Sequence, residues 1–265
     1  MSRHSYNESQ SPNLYIETLG QFTLYSDGVP LGDDIWKRKK ARMLFQYLIT
    51  SRTGFTARER IFEDLWPELD LARADRDFKV ALNALNSALD PARSSREISR
   101  YIQRQGSSYG IKQTAPMVID VDRFERLLLA GSKGESTSPE QAISDYRHGL
   151  ELYKGEYLPD RLYDDWSSSE RERLTSLFLL SATRLSSLLL AEGQTVELIN
   201  WCHRVIDIDP LWEEAYRLQM MAHLSTGNRP LVIQIYKLCQ EILERELGVP
   251  PMEETTRLYD LAVSP

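Results

Sequence analysis

The chain has 265 residues, 42% hydrophobic and 27% charged, with 13 Gly, 12 Pro and two Cys. That length and composition fit about two globular domains, and they exclude a disordered, collagen-like or disulfide-stapled chain. The net charge of −7 is uneven: residues 1–115 carry 17 Lys and Arg against 14 Asp and Glu, residues 116–265 carry 15 against 25. A mildly basic first half joined to an acidic second half suggests one module that faces a polyanion and one that faces something else.

Residues 1–13 are polar, without the apolar segment of a secretory signal, and are expected to be a flexible tail. The longest apolar stretch, Leu177–Ala191, is interrupted by Ser181, Thr183, Arg184, Ser186 and Ser187, so no membrane partner and a cytoplasmic location are expected. Leu14–Leu19 alternates, Phe22–Tyr25 follows a break at Gly20, and Asp27–Gly28 signals a hairpin returning through Val29–Leu31. Trp36–Ile49 places Ala41, Leu44, Phe45 and Leu48 at helical spacing, and its start carries Lys37, Arg38, Lys39, Lys40 and Arg42. Cations are disfavoured at a helix amino end, so an anionic partner such as phosphate is expected there.

Thr56–Glu59 has the form of a capping box, opening a helix that Pro67 stops. A third helix is predicted from about Ala72 to Leu89. Phe78, Leu82, Leu85 and Leu89 lie on one face; Arg73, Arg76, Lys79, Val80, Asn83 and Ser87 lie on the other, with Asp75 and Asp77 beside them. A helix fits the major groove of DNA, where Arg reads guanine and Asn reads adenine. Ile98–Gln105 and Tyr109–Lys112 form a hairpin turning at Gly106–Ser108, offering Arg100, Arg104 and Ser107 to phosphate. Sheet, three helices and hairpin are the order of a winged helix-turn-helix, placed at 14–115.

Residues 118–263 read as nearly all helix, at about 120–133, 139–154, 164–192, 195–208, 211–226, 229–247 and 253–263. Ala182 and Leu185 recur as Ala215 and Leu218; Gly193, Ile199, Cys202 and Val205 recur as Gly227, Ile233, Tyr236 and Cys239. That period suits tetratricopeptide-like hairpins, in which small residues face large ones. Tyr157, Tyr163 and Trp166 are expected to pack a junction of early helices, with Asp164 capping the long helix. Glu213, Glu214, Glu244 and Glu246 read as solvated. The P-loop, dinucleotide, zincin and nucleophile-elbow signatures are all missing, Cys202 and Cys239 match no zinc spacing, and neither an enzyme nor a cofactor is expected.

Three separated stretches, LYIETLGQFTLYSDGVPL with WKRKKARMLFQYLI and LWPE, then LYKGEYLPDRLYDDWSSSERERL, then DPLWEEAYRLQM with ERELGVPPMEETTRLY, resemble SARP-type (Streptomyces antibiotic regulatory protein) activators. In these a DNA-binding half of the OmpR/PhoB type precedes a bacterial transcriptional activator domain, and the resemblance covers residues 14–262. It implies a winged helix on direct-repeat promoter DNA, working as a side-by-side pair, and helical repeats that assist dimer contacts or meet RNA polymerase. This chain departs from the family at Asn83-Ala-Leu-Asn-Ser87, where a Ser-Arg-Leu-Arg-Arg stretch is common. Fewer cations there should lower nonspecific affinity and flatten the salt dependence, with either an A-rich target read by Asn or weak, conditional binding. Two alternatives stand beside the activator reading: a protein-interaction scaffold, and a regulator whose repeats bind a small effector.

Overall fold

A computed structural model describes residues 14–94 and 97–264; the predicted tail 1–13 lies outside the described residues. The chain forms two compact units. One comprises residues 1–123 and 154–173, the other residues 124–153 and 174–265.

In the first unit, β1 (Leu14–Glu17) pairs antiparallel with β2 (Thr23–Ser26), and β2 with β3 (Val29–Pro30). The turn between β2 and β3 holds Asp27 and Gly28 both at positive φ, the two-residue hairpin geometry that an Asp-Gly pair favours. Helix α1 (Lys39–Thr50) buries Ala41, Leu44, Phe45, Leu48 and Ile49. It starts later than the periodicity suggests, so Lys37 and Arg38 precede it.

Strand β4 (Thr56–Ala57) leads into α2 (Arg58–Leu65), then α3 (Leu71–Leu89). The predicted capping box is not made: Thr56 and Ala57 pair with Tyr109 and Ser108, and no side chain caps α2. Strand pairing has taken the residues that a local cap would have used. β4 is thereby one edge of a three-stranded wing with β5 (Ile102–Gln105) and β6 (Ser108–Ile111), in the order β4-β6-β5. β5 begins later than predicted, and Ile98 is 87% exposed.

β7 (Met117–Ile119) runs parallel to β1, closing the first sheet in the order β3-β2-β1-β7. Asp120, first residue of α4 (Asp120–Gly134), accepts from the Thr18 amide at 2.7 Å, the Thr18 hydroxyl at 2.6 Å and the Leu19 amide at 2.9 Å. Burial pushes this carboxyl above its ordinary range while those bonds hold it down.

Segment 154–173 packs onto the same unit. Gly20, at φ +93°, donates to the Glu156 carbonyl at 2.9 Å, and Leu158 donates to that of Thr18 at 2.9 Å. A Cβ on Gly20 would stand 2.9 Å from the Lys154 carbonyl carbon, so only glycine permits this approach. Tyr157 is fully buried, its hydroxyl 2.9 Å from that of Thr50. The buried Gln46 amide donates to Asp160 and accepts from Arg161, both at about 3 Å. Trp166 packs on Tyr47, but Tyr163 is 98% exposed and packs on nothing, contrary to expectation. Asp164 does not cap with its side chain: its carboxylate faces Arg161 at 3.6 Å, and its carbonyl accepts from the Ser167 amide.

The second unit is helical: the body of α4, α5 (Pro139–Leu150), the larger part of α6 (Asp165–Ala191), α7 (Thr195–Ile208), α8 (Glu213–Ser225), α9 (Arg229–Leu247) and α10 (Glu253–Val263). Every predicted helix is present, and the recurring residues Ala182, Leu185, Ala215, Leu218, Cys202, Val205, Tyr236 and Cys239 are all buried. Gly193 and Gly227 both have positive φ, at the turns that follow α6 and α8, as their equivalent places in the repeat require. α6 is, by length and composition, apolar enough to cross a membrane, which the interruptions in its sequence argued against; half of that window is buried in the fold. The interrupting hydroxyls are satisfied within the helix, Thr183 on the Leu179 carbonyl and Ser186 on that of Ala182, each at 2.8 Å.

Candidate nucleic-acid interface

α3 is amphipathic as its sequence suggests. Ala74, Phe78, Ala81, Leu85 and Leu89 are buried, Phe78 making edge contacts with Phe62, Trp66 and Tyr109, and Leu82 is half-buried. The opposite side exposes Arg73, Arg76, Lys79, Val80, Asn83 and Ser87 together. Asp70 opens the helix, its carboxylate accepting from the Arg73 amide at 2.9 Å and pairing with the Arg73 guanidinium at 3.3 Å. Arg76 makes no ion pair among the described residues. The Ser87 hydroxyl is turned back onto the Asn83 carbonyl at 3.0 Å.

Asp75, which the sequence placed beside this face, is held between two cations, Lys79 at 2.6 Å and Arg58 at 2.9 Å. The Lys79 hydrogen bond first, then the charges of Lys79 and Arg58, keep its carboxyl below the ordinary range against the opposing effect of desolvation. Arg58 is a residue that sequence reasoning missed. Its amide also donates to the Ser107 carbonyl at the wing tip, so it ties α2, α3 and the wing together. Only strand pairing between β4 and β6 reveals that role.

At the start of α1, Lys37, Arg38 and Lys39 are exposed. Arg38 and Lys39 line a cleft of about 300 Å³ with Trp66, Asp77 and Val80, beside α3. Lys40 and Arg42 have internal partners: the Lys40 ammonium donates to the Leu65 carbonyl over the Trp66 ring, and Arg42 pairs with Asp160 at 3.3 Å over the ring of Phe22. On the wing Arg100, Arg104 and Ser107 are exposed, and Arg104 donates to the Gly106 carbonyl at 2.8 Å, which holds the tight turn. Gly106 takes φ +61° there.

The second unit presents no comparable set of free cations among the described residues. Its thiols are inert: burial pushes Cys202 and Cys239 each up to about 12. Glu213 is not solvated as expected; it accepts from the Met252 amide at 2.8 Å and from the Thr255 hydroxyl, fastening α10 to α8.

A family profile described as "Bacterial transcriptional activator domain" matches residues 119–261. The transcriptional regulatory protein MoaR1 of Mycobacterium tuberculosis is 25% identical over 260 residues, covering 96% of this chain and 80% of MoaR1. The transcriptional regulator RedD of Streptomyces coelicolor is 28% identical over 141 residues, 51% of this chain and 39% of RedD. Among solved structures, Mycobacterium tuberculosis EmbR in complex with a low affinity phosphopeptide has the same fold, with a TM-score of 0.80 at 18% identity over 95% of this chain. This chain spans 65% of the length of that EmbR chain. The SARP-type resemblance read in the sequence therefore holds, and with more than half of its length matched the chain belongs to the bacterial transcriptional activator domain family of transcriptional regulators.

Proposed function

We propose that this regulator acts by sequence-specific binding of double-stranded DNA, with α3 in the major groove. The observation that carries this reading is the exposed stripe Arg73, Arg76, Lys79, Val80 and Asn83 on a helix whose other side buries Ala74, Phe78, Ala81, Leu85 and Leu89. A helix fixed from behind by Phe78 and Leu85 presents its polar side chains in a rigid array, which base-edge hydrogen bonding needs. Arg76 and Asn83 read bases, with Arg73, Lys79 and Ser87 alongside. Arg73 and Lys79 exchange their carboxylate partners for DNA, and Ser87 contributes least because its hydroxyl is already bonded. Lys37, Arg38, Lys39, Arg100, Arg104 and Ser107 hold phosphate; Lys40 and Arg42 support them from behind. Paired chains on direct repeats, with the helical repeats making dimer, polymerase or effector contacts, complete the activator.

Selection of bound duplexes from a random library, followed by fluorescence anisotropy at moderate salt, tests the proposal. Arg76→Ala combined with Asn83→Ala should weaken the selected site by about 2–6 kcal/mol, the sum of two base contacts. Unchanged affinity in the double variant overturns the recognition-helix assignment. If no duplex binds at any salt, the protein is a scaffold instead.

A further inference from the structure

Between the C-terminal half of α3 and the wing lies a cleft of about 500 Å³, a volume in the range of small-molecule sites. Leu82 from α3 with Ile102 and Tyr109 from the wing give it an apolar floor, and Arg104 and Lys112 stand at its rim with no carboxylate among its lining residues. Asn86 lines it from α3. This side chain is 9% exposed, and its carboxamide oxygen is buried without a hydrogen-bond partner. An unpaired buried acceptor is costly, and a leucine would fill the same place without that cost. The site is thus built for something that completes the amide.

We propose that this cleft binds a small amphipathic acid: a flat apolar body, one anionic group facing Arg104 and Lys112, and one hydroxyl facing Asn86. Each part answers a feature of the walls. The apolar floor takes the ring system, and two cations without an opposing carboxylate take the anion. A hydroxyl both donates and accepts, so it pairs with the Asn86 carboxamide in either orientation. Because α3 and the wing both supply walls, an occupant joins the two elements assigned to DNA, and its effect on DNA affinity rests on that reading. Binding to the free protein does not.

The test titrates the DNA-free protein with 6-hydroxy-2-naphthoate, following probe fluorescence, and compares it with 2-naphthoate, which lacks the hydroxyl, and 2-naphthol, which lacks the charge. The hydroxy acid should bind at least tenfold more tightly than either comparison compound. Asn86→Leu should keep or raise the thermal midpoint and erase the preference over 2-naphthoate; Arg104→Ala with Lys112→Ala should erase the preference over 2-naphthol. Leu82→Trp, which fills the cleft, should abolish binding and serves if Asn86→Leu fails to fold. Equal binding of the three compounds, or a preference that survives Asn86→Leu, overturns the proposal. A loss of thermal stability in Asn86→Leu with ligand preference unchanged also overturns it, making Asn86 a structural residue. In a second arm the hydroxy acid should change affinity for the selected duplex at least threefold. A protein that binds the probe but no DNA refutes the DNA reading and leaves the cleft standing.

Discussion

Several arginines of the helical unit and those on the exposed side of α3 and the wing are used in opposite ways. In the helical unit Arg147, Arg204 and Arg217 are consumed by the fold. Arg147 forms paired 2.8 Å bonds to Glu197, Arg204 donates to the Tyr153 carbonyl at 2.7 Å between the rings of Phe178 and Trp201, and Arg217 reaches Glu213 and Glu214. On α3 and the wing, Arg76 has no ionic partner among the described residues, Arg73 has one exposed carboxylate, and Arg104 only a turn carbonyl. A side chain with five donors left unsatisfied on a rigid helix contributes nothing to stability there. On the proposed DNA-binding reading, this contrast is what lets a chain with net charge −7 address a polyanion. Its acidic excess lies in residues 116–265, while the exposed cations cluster on the winged helix.

Substitutions that break this contrast should divide cleanly between stability and binding. The largest effect falls in the helical unit: Arg204→Ala removes the donor to the Tyr153 carbonyl and the cation lying over the Phe178 and Trp201 rings, and should cost about 2–4 kcal/mol of unfolding free energy. Denaturant titration checks it, and DNA affinity of the folded fraction should be unchanged. Arg76→Ala should do the reverse. It should leave stability within about 0.5 kcal/mol while weakening a selected duplex by about 1–3 kcal/mol and relaxing the preference for one base pair. A stability loss at Arg76 matching that at Arg204 would abolish the distinction. Lys39→Ala sharpens it further by separating phosphate from base contacts. Affinity should fall alike for all duplexes, and the log–log salt slope should shrink by about 0.9.

Periodicity made the helices of the second unit legible, although α5 ends at Leu150 rather than near 154, because several turns carry their own punctuation, Gly193, Gly227 and Gly248 at positive φ and prolines at the first turns of α5 and α9. The exposed stripe of α3 was legible for the same reason, since a helix buried on one side reports its other side directly. What escaped reading depends on partners distant in the chain. β7 is three residues that make sense only beside β1, about a hundred positions earlier. Thr56 and Glu59 satisfy the local capping pattern, yet Thr56 pairs with Tyr109. Arg42 looks as free as Arg38 until Asp160 arrives from the 154–173 segment. The exposed interface was therefore readable as a stripe, but which of its cations are already engaged was not, and neither was the unpaired oxygen of Asn86.

The smallest expected effect concerns what a consumed arginine contributes. Glu197 has its carboxyl lowered from the ordinary range, first by the Arg147 hydrogen bonds, with burial opposing. A carboxylate whose folded pKa is depressed adds stability above its unfolded pKa and loses it as pH falls through the folded value. The contribution should therefore be complete at neutral pH and disappear below about pH 4, near the ordinary glutamate value. Both side chains are about one-third exposed, so solvent screening limits the pair to about 0.5–1 kcal/mol. Thermal midpoints of the wild type and Glu197→Gln should differ by a degree or two at pH 7, and the gap should close in acid. A gap that persists in acid would mean that Glu197 acts by packing or through Trp201, whose indole nitrogen donates to it at 3.2 Å. In that case the two arginine roles would differ in location rather than in the electrostatics they serve.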